Sequence, residues 1–203
     1  MRLGLRGAAL ASVAVIGACT IAPMAAGVGP EGGLALAPPP GYGTLRQEDV
    51  SLLLTSGDLR LMVTPLHESV TRVAAPDTQR RLAGLVDAHA PDPLGEGAGL
   101  FLVQFYSDQP DVVFVPEEVQ FISRGLRMRP RTIIPVTPSW GERRVGQRQT
   151  EIAVYWFGEG VDLESTLVLA YQFDQSTQWS VILPRIQAER ARARGRAGVE
   201  VHD

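Results

Sequence analysis

Two runs decide the fold class of this chain: TEIAVYWF at residues 150–157 and TLVLAYQF at residues 166–173. Both are rich in β-branched and aromatic residues, which fit the pleated and half-buried surface of a sheet. The loop between them contains Gly158, Gly160 and Asp162, and these residue types favour turns. The two runs predict a pair of consecutive β-strands, and therefore a fold that is mainly β.

Further short strands are predicted on both sides of these runs. Residues 101–106, FLVQFY, follow the two-residue period of a half-buried strand. The other candidates lie at residues 50–54, 59–64, 112–115, 119–122, 132–136 and 181–183. Short strands separated by turns at roughly 8–12 residues favour two packed antiparallel sheets. We therefore predict an immunoglobulin-like β-sandwich in architecture, with a curved sheet or an open barrel as the alternative.

Two helices are predicted as an insertion between strands at about residues 65–90. Thr64 and Pro65 form a cap and first-turn signal, and apolar residues recur at helical spacing from 82 to 89. At the C-terminus, residues 185–203 carry alternate arginines that spread around a helix axis without forming one stripe. This segment predicts a polar, solvated helical tail.

The N-terminus has the three parts of an export signal. Arg2 and Arg6 provide positive charge, residues 7–16 are small or apolar, and Ile16-Gly17-Ala18-Cys19 closes the segment. The apolar run is shorter than the ~20 residues that a membrane-spanning helix needs. The four closing residues resemble the cleavage box of bacterial lipoproteins: an aliphatic residue, two small residues, then cysteine.

The resemblance implies that two acyl chains, such as palmitate, are attached to Cys19 and that cleavage occurs before it. Cys19 is the only cysteine in the chain, so the chain has no intramolecular disulfide. The location implied is the cell envelope, on the outer side of the cytoplasmic membrane or in the outer membrane. Two alternatives remain: a secretory signal cleaved near Ala25-Ala26, and an uncleaved anchor.

The predicted organisation has four parts. Residues 1–18 are the signal peptide, and residues 19–44 are the lipidated cysteine followed by a tether rich in Ala, Gly and Pro. Such a composition buries too little apolar surface to offset the entropy of ordering, so the tether is predicted to be disordered. Residues 45–184 form a single sandwich domain, and residues 185–203 form the helical tail.

No catalytic, metal or nucleotide motif is found. His67, His89 and His202 lie too far apart for a local ligand set, and no Gly-x-Ser-x-Gly elbow is present. We therefore predict a non-enzymatic protein without a cofactor or a metal, which binds or scaffolds a protein or cell-wall partner. The alternative is an envelope-polymer hydrolase or modifying enzyme whose active site is assembled from distant residues.

Charge is segregated along the second half of the chain. Seven arginines and only Glu142 are charged within residues 124–148, whereas residues 149–184 carry five acidic residues and no basic one. Either the two segments pair within the sheet, or the arginines bind an anionic partner. Because the mature chain is acidic, a general nucleic-acid binder is not predicted. The candidate partner-binding residues are Arg124, Arg127, Arg129, Arg131, Trp140, Arg143 and Arg144.

Overall fold

A computed structural model describes residues 37–89 and 99–200 of the chain. The predicted lipidation site at Cys19 and the C-terminal His202 lie outside the described residues. The strands are β1 (Leu52–Ser56), β2 (Leu59–Pro65), β3 (Leu100–Ser107), β4 (Val112–Val113), β5 (Val119–Ser123), β6 (Leu126–Met128), β7 (Thr132–Pro135), β8 (Arg144–Val145), β9 (Gln149–Trp156), β10 (Leu167–Tyr171) and β11 (Asp174–Ser176). The helices are α1 (Glu68–Thr71), α2 (Pro76–His89) and α3 (Trp179–Glu200), with 3-10 turns at Gln47–Val50, Pro116–Glu118 and Pro138–Glu142.

The strands form two larger sheets and one small one. The first sheet has the order β1-β2-β3-β9-β7, the second has the order β11-β10-β5-β6, and β4 pairs with β8. Every pairing between these strands is antiparallel. The prediction of a mainly β fold with helices, one of them C-terminal, is confirmed.

The runs at residues 150–157 and 166–173 both form strands, β9 and β10, but these strands do not pair with each other. Strand β9 lies between β3 and β7 in the first sheet, whereas β10 lies between β5 and β11 in the second. Residues 157–166 therefore carry the chain from one sheet to the other. Both strands are largely buried, so their local composition does not determine which neighbour each one pairs with.

Aromatic side chains fill the space between the two larger sheets. The ring centroids of Phe101 in the first sheet and Phe121 in the second lie 4.5 Å apart. Phe105 lies 5.7 Å from Tyr171 of the second sheet and 4.6 Å from Phe114. All five side chains are buried. Each such ring contributes on the order of 1.5–3 kcal/mol by leaving water, and ring pairs at these distances add to it.

The helical insertion is present, but it begins later than predicted. Strand β2 continues through Thr64 and Pro65, which pair with β3, and His67 caps α1 by accepting a hydrogen bond from the backbone N–H of Ser69. Helix α2 packs its buried Leu82 against the outer face of the first sheet, beside Leu102. A cap-and-proline signal is compatible with a strand end, because proline needs no ladder donor there.

Helix α3 is not the solvated tail that the sequence predicted for residues 185–203. It begins at Trp179, so the predicted strand at residues 181–183 is its first turn. Residues on one face of the helix are buried. These residues are Trp179, Ile182, Ile186, Glu189, Arg190 and Ala193. They recur at helical spacing and form one buried stripe along the helix. The apolar pattern of the sequence does not show this stripe, because two of its residues are charged.

Residues 38–44, assigned to the tether, contact the domain. The backbone N–H and the hydroxyl of Thr44 both donate to Glu189, and the Arg196 guanidinium donates to the carbonyl of Tyr42. Pro38 is buried, and a Cβ atom on Gly43 would lie only 2.3 Å from the carbonyl carbon of Val73. The ordered domain therefore begins before the predicted boundary at residue 45.

Replacing Trp179 tests how α3 is held. Trp179 is completely buried, whereas Val181 in the same turn is 63% exposed. We expect Trp179→Ala to lower the free energy of unfolding by about 3–5 kcal/mol, as large-to-small core substitutions do. Val181→Ala is the control and should change it by about 0.5 kcal/mol or less. Chemical denaturation measures both, and equal effects would contradict the docking of α3.

The second prediction concerns the pH dependence of the stability that the Glu189 carboxylate contributes. Burial opposes its charged form, but hydrogen bonds from Thr44 and Arg196 outweigh burial and lower its pKa below the ordinary 4.5. A lowered pKa in the folded state contributes stability above the unfolded value that is lost as pH falls through the folded value. We expect the stability difference between the wild type and Glu189→Gln to shrink between about pH 6 and about pH 3. The exposed Asp87→Asn should track the wild type in the same denaturation series; a constant Glu189→Gln difference would refute the account.

Candidate functional site

The arginine segment at residues 124–148 is divided between opposite ends of the two sheets. At one end, Ser123 of β5 pairs with Leu167 of β10, and the backbone N–H of Arg131 donates to the Trp156 carbonyl, 2.7 Å away. We call this the arginine end. It carries Arg124, Arg127, Arg129 and Arg131.

The opposite end carries the other two candidate arginines. Here Leu59 of β2 pairs with Ser107 of β3, which pairs in turn with Gln149 of β9. In the second sheet, Tyr171 pairs with Val119 at this end. The loops that meet here are residues 57–58, 108–111, 116–118, 142–148 and 172–173, and we call this the Phe173 end. Arg143 and Arg144 belong to it.

Arg143 and Arg144 are bound to carboxylates. The Arg143 guanidinium lies 2.8 Å from Glu117, and that of Arg144 lies 2.7 Å from Asp111. Both pairs are exposed, so each contributes little to stability. The acidic partners precede residue 124, so they do not belong to the acidic segment 149–184. The predicted pairing between the two segments is found for Arg124 and Asp162.

Three arginines at the arginine end have no such partner. Within residues 37–89 and 99–200, Arg127, Arg129 and Arg131 make no ion pair with a carboxylate. Arg127 donates to the side-chain oxygen of Gln120 at 3.0 Å, and the Arg131 guanidinium lies 5.7 Å from the ring centre of Trp156. All three are exposed. We call them the crossover arginines, because they lie where the chain passes from β6 to β7.

The crossover arginines are two residues apart along the chain. Arg127 is in β6, and Arg131 directly precedes β7. A guanidinium group is a donor type that binds carboxylate and phosphate through paired hydrogen bonds.

Trp140 is not the surface handle that its loop position predicted. Its side chain is 6% exposed and packs against the rings of Phe105 and Phe114, with centroid distances of 5.8 and 4.9 Å. Trp156 in β9 is only half buried, and the Arg131 guanidinium lies over its ring. The two-residue alternation of β9 explains the position of Trp156. Ala153 and Tyr155 face the main core, so Trp156 faces the other side of the sheet.

The buried Glu151 has a local structural role. Its carboxylate accepts hydrogen bonds from the hydroxyls of Thr137 and Ser139, and the Thr137 oxygen also accepts from the backbone N–H of Ile152 at 3.1 Å. These bonds fix the loop that follows β7 against β9. Because Glu151 is 2% exposed, it does not face a site that solvent reaches.

The histidines interact with their own helices. His67 Nδ1 lies 2.8 Å from the Ser69 hydroxyl at the start of α1, and His89 Nδ1 lies 3.1 Å from the Leu85 carbonyl at the end of α2. Across the described part of the chain, no three His, Cys, Asp or Glu side chains form a group that could hold a metal ion. None of the helices in those residues is both long and apolar enough to cross a bilayer.

Comparisons with protein families, with curated proteins and with solved structures find nothing that matches this chain.

Proposed function

We propose that this chain is a non-enzymatic lipoprotein of the cell envelope whose domain binds an anionic partner through the crossover arginines. The observation that carries the proposal is the absence of carboxylate partners for Arg127, Arg129 and Arg131 among the described residues, beside carboxylate-paired arginines elsewhere. Unpaired, exposed guanidinium groups are free to exchange water for an anion. The partner is an envelope component that carries phosphate or carboxylate groups, such as a wall polymer, lipid head groups or an acidic protein.

The direction from which the chain reaches the domain supports this proposal. The backbone N–H of Leu45 donates a hydrogen bond to the carbonyl of Val73, which lies just after α1. Helix α1 in turn follows the end of β2 at the arginine end. Residues 37–45 therefore approach the domain at its arginine end. In a protein held by lipid at Cys19, this end faces the surface to which the protein is anchored. Each arginine close to an anionic lipid surface contributes about 1 kcal/mol to binding.

We further propose that the two larger sheets form an immunoglobulin-like sandwich. The aromatic contacts between Phe101 and Phe121 and between Phe105 and Tyr171 join facing surfaces of the sheets, as sandwich packing requires. The ends of a sandwich are formed by loops, which are the usual binding positions of this architecture.

An envelope-polymer hydrolase is the alternative from a different class. It requires a histidine, a carboxylate and a hydroxyl around one concave site. The local hydrogen bonds of His67 and His89, on separate helices, give that alternative no support.

Lipidation is tested by Cys19→Ala. If the Cys19 thiol carries the acyl chains, the substitution abolishes labelling by a fatty-acid analogue and leaves the precursor uncleaved. Ala26→Asp, placed at the alternative secretory cleavage position, is the control and should leave labelling unchanged. Labelling that survives in Cys19→Ala would disprove the lipid anchor at this residue.

The crossover arginines are tested with a matched pair of triple variants. Arg127, Arg129 and Arg131 are replaced by Gln in one variant, and Arg143, Arg144 and Arg148 in the other, within residues 20–203, which contain every described contact. Sedimentation with anionic phospholipid vesicles and with lipid-free wall preparations separates the two sources of anion.

We expect the first variant to lose at least roughly tenfold in binding to one of these preparations, because each guanidinium near an anionic surface contributes about 1 kcal/mol. The second variant should lose much less, and salt should weaken wild-type binding. Equal losses for both variants, or no binding of the wild type to either preparation, would refute the proposal.

A further inference from the structure

Unfavourable backbone conformations are concentrated at the Phe173 end. Among the described residues, five that are not glycine have left-handed backbone, and four of these lie in the loops of this end. They are Asp111, Arg143, Arg148 and Gln172, with φ between 51° and 60°. Side chains with a Cβ atom disfavour this region, so a chain selected for stability alone would favour glycine there. Such conformations persist most often where a surface has a function.

Phe173 is the most exposed large apolar side chain of the described residues. It lies in the two-residue turn between β10 and β11, next to Gln172, and its side chain is fully exposed. Two-residue turns favour Gly, Asn and Asp, which adopt the required backbone and interact with water. The chain instead places an aromatic ring at the tip. Aromatic rings are frequent among the residues that dominate binding energy in protein interfaces.

The charges around Phe173 have an acidic excess. Three ion pairs neutralise part of this end: Arg60 with Asp108, Arg143 with Glu117 and Arg144 with Asp111. Within the described residues, four further acidic side chains at this end make no ion pair, and Arg148 is the one arginine at this end without a carboxylate partner. The four are Asp58, Glu118, Glu142 and Asp174.

We propose that the Phe173 end docks a second protein, which receives Phe173 in an apolar pocket bordered by Lys or Arg side chains. The acidic excess complements a basic rim and repels anionic lipid, anionic wall polymer and a second copy of the same end. The Phe173 end also lies opposite to the end that residues 37–45 approach. It therefore points away from the region of attachment, whether or not the crossover arginines bind an anion.

A photo-crosslinking amino acid at position 173 of the full chain, in the native envelope, tests the proposal. Position 126 is the matched control, because Leu126 is 71% exposed and lies at the arginine end. We expect one protein adduct of defined mass from position 173 and none of that mass from position 126. Sequencing of the adduct should place apolar residues flanked by Lys or Arg at the crosslink.

A charge variant and two turn variants complete the experiment. Replacing Asp58, Glu118 and Asp174 by the matching amides should lower the adduct yield at least roughly fivefold, since the charges would no longer attract the basic rim. Phe173→Ser should leave the thermal midpoint within about 1–2 °C, because the side chain has no packing to lose. Gln172→Gly should raise the midpoint by a few degrees, since glycine adopts the left-handed backbone without a Cβ conflict.

Each other outcome contradicts the inference. Adducts with lipid, with wall polymer or with a second copy of the chain would assign another occupant. An absence of protein adduct from position 173 beyond that from position 126 would show that the end is not occupied. If the adduct yield were unchanged in the charge variant, the partner's pocket would not have the proposed rim of Lys or Arg side chains.

Discussion

The packing of aromatic rings between two antiparallel sheets is the constraint on which the rest of the molecule depends. Phe101, Phe105 and Tyr155 face Phe121 and Tyr171 across the interior, and all five are buried. This arrangement requires one sheet to lie over the other, so the chain must cross between them several times. The loops that make these crossings lie at the two ends, and their side chains are therefore the ones available for binding.

Ion pairs and hydrogen bonds inside the fold hold residues 38–44 and helix α3 against the rest of the domain. Arg190 is almost completely buried, binds Glu164 at 2.7 Å and donates to the Ser69 carbonyl at 3.0 Å. The adjacent Glu189 accepts hydrogen bonds from Thr44 and Arg196. A buried charge is tolerated when its hydrogen-bonding capacity is filled in this way. Helix α3 is thus part of the domain and joins residues 38–44 to it.

The two ends differ in charge and in the kind of contact they offer. At the arginine end, Arg127, Arg129 and Arg131 have no carboxylate partner among residues 37–89 and 99–200, and Arg131 lies over the half-buried Trp156. At the Phe173 end, arginines are mostly neutralised and an aromatic ring is exposed. The two proposals follow from this polarity. A molecule of this kind can contact an anionic surface and a protein at the same time, because the sites do not overlap.

The sequence by itself determined the mainly β class and the helices between residues 65 and 90, because both depend on periodicities within a few residues. It also indicated that residues 124–148 are rich in arginine, and it left open whether those arginines pair within the fold. Only the tertiary structure decided that β9 and β10 belong to different sheets, that Trp140 is buried, and that the arginines divide between two ends. Those outcomes depend on contacts between residues far apart in the chain, such as Arg143 with Glu117 and Glu189 with Thr44. Local patterns do not specify such contacts, because many strand neighbours and many charge partners are equally compatible with them.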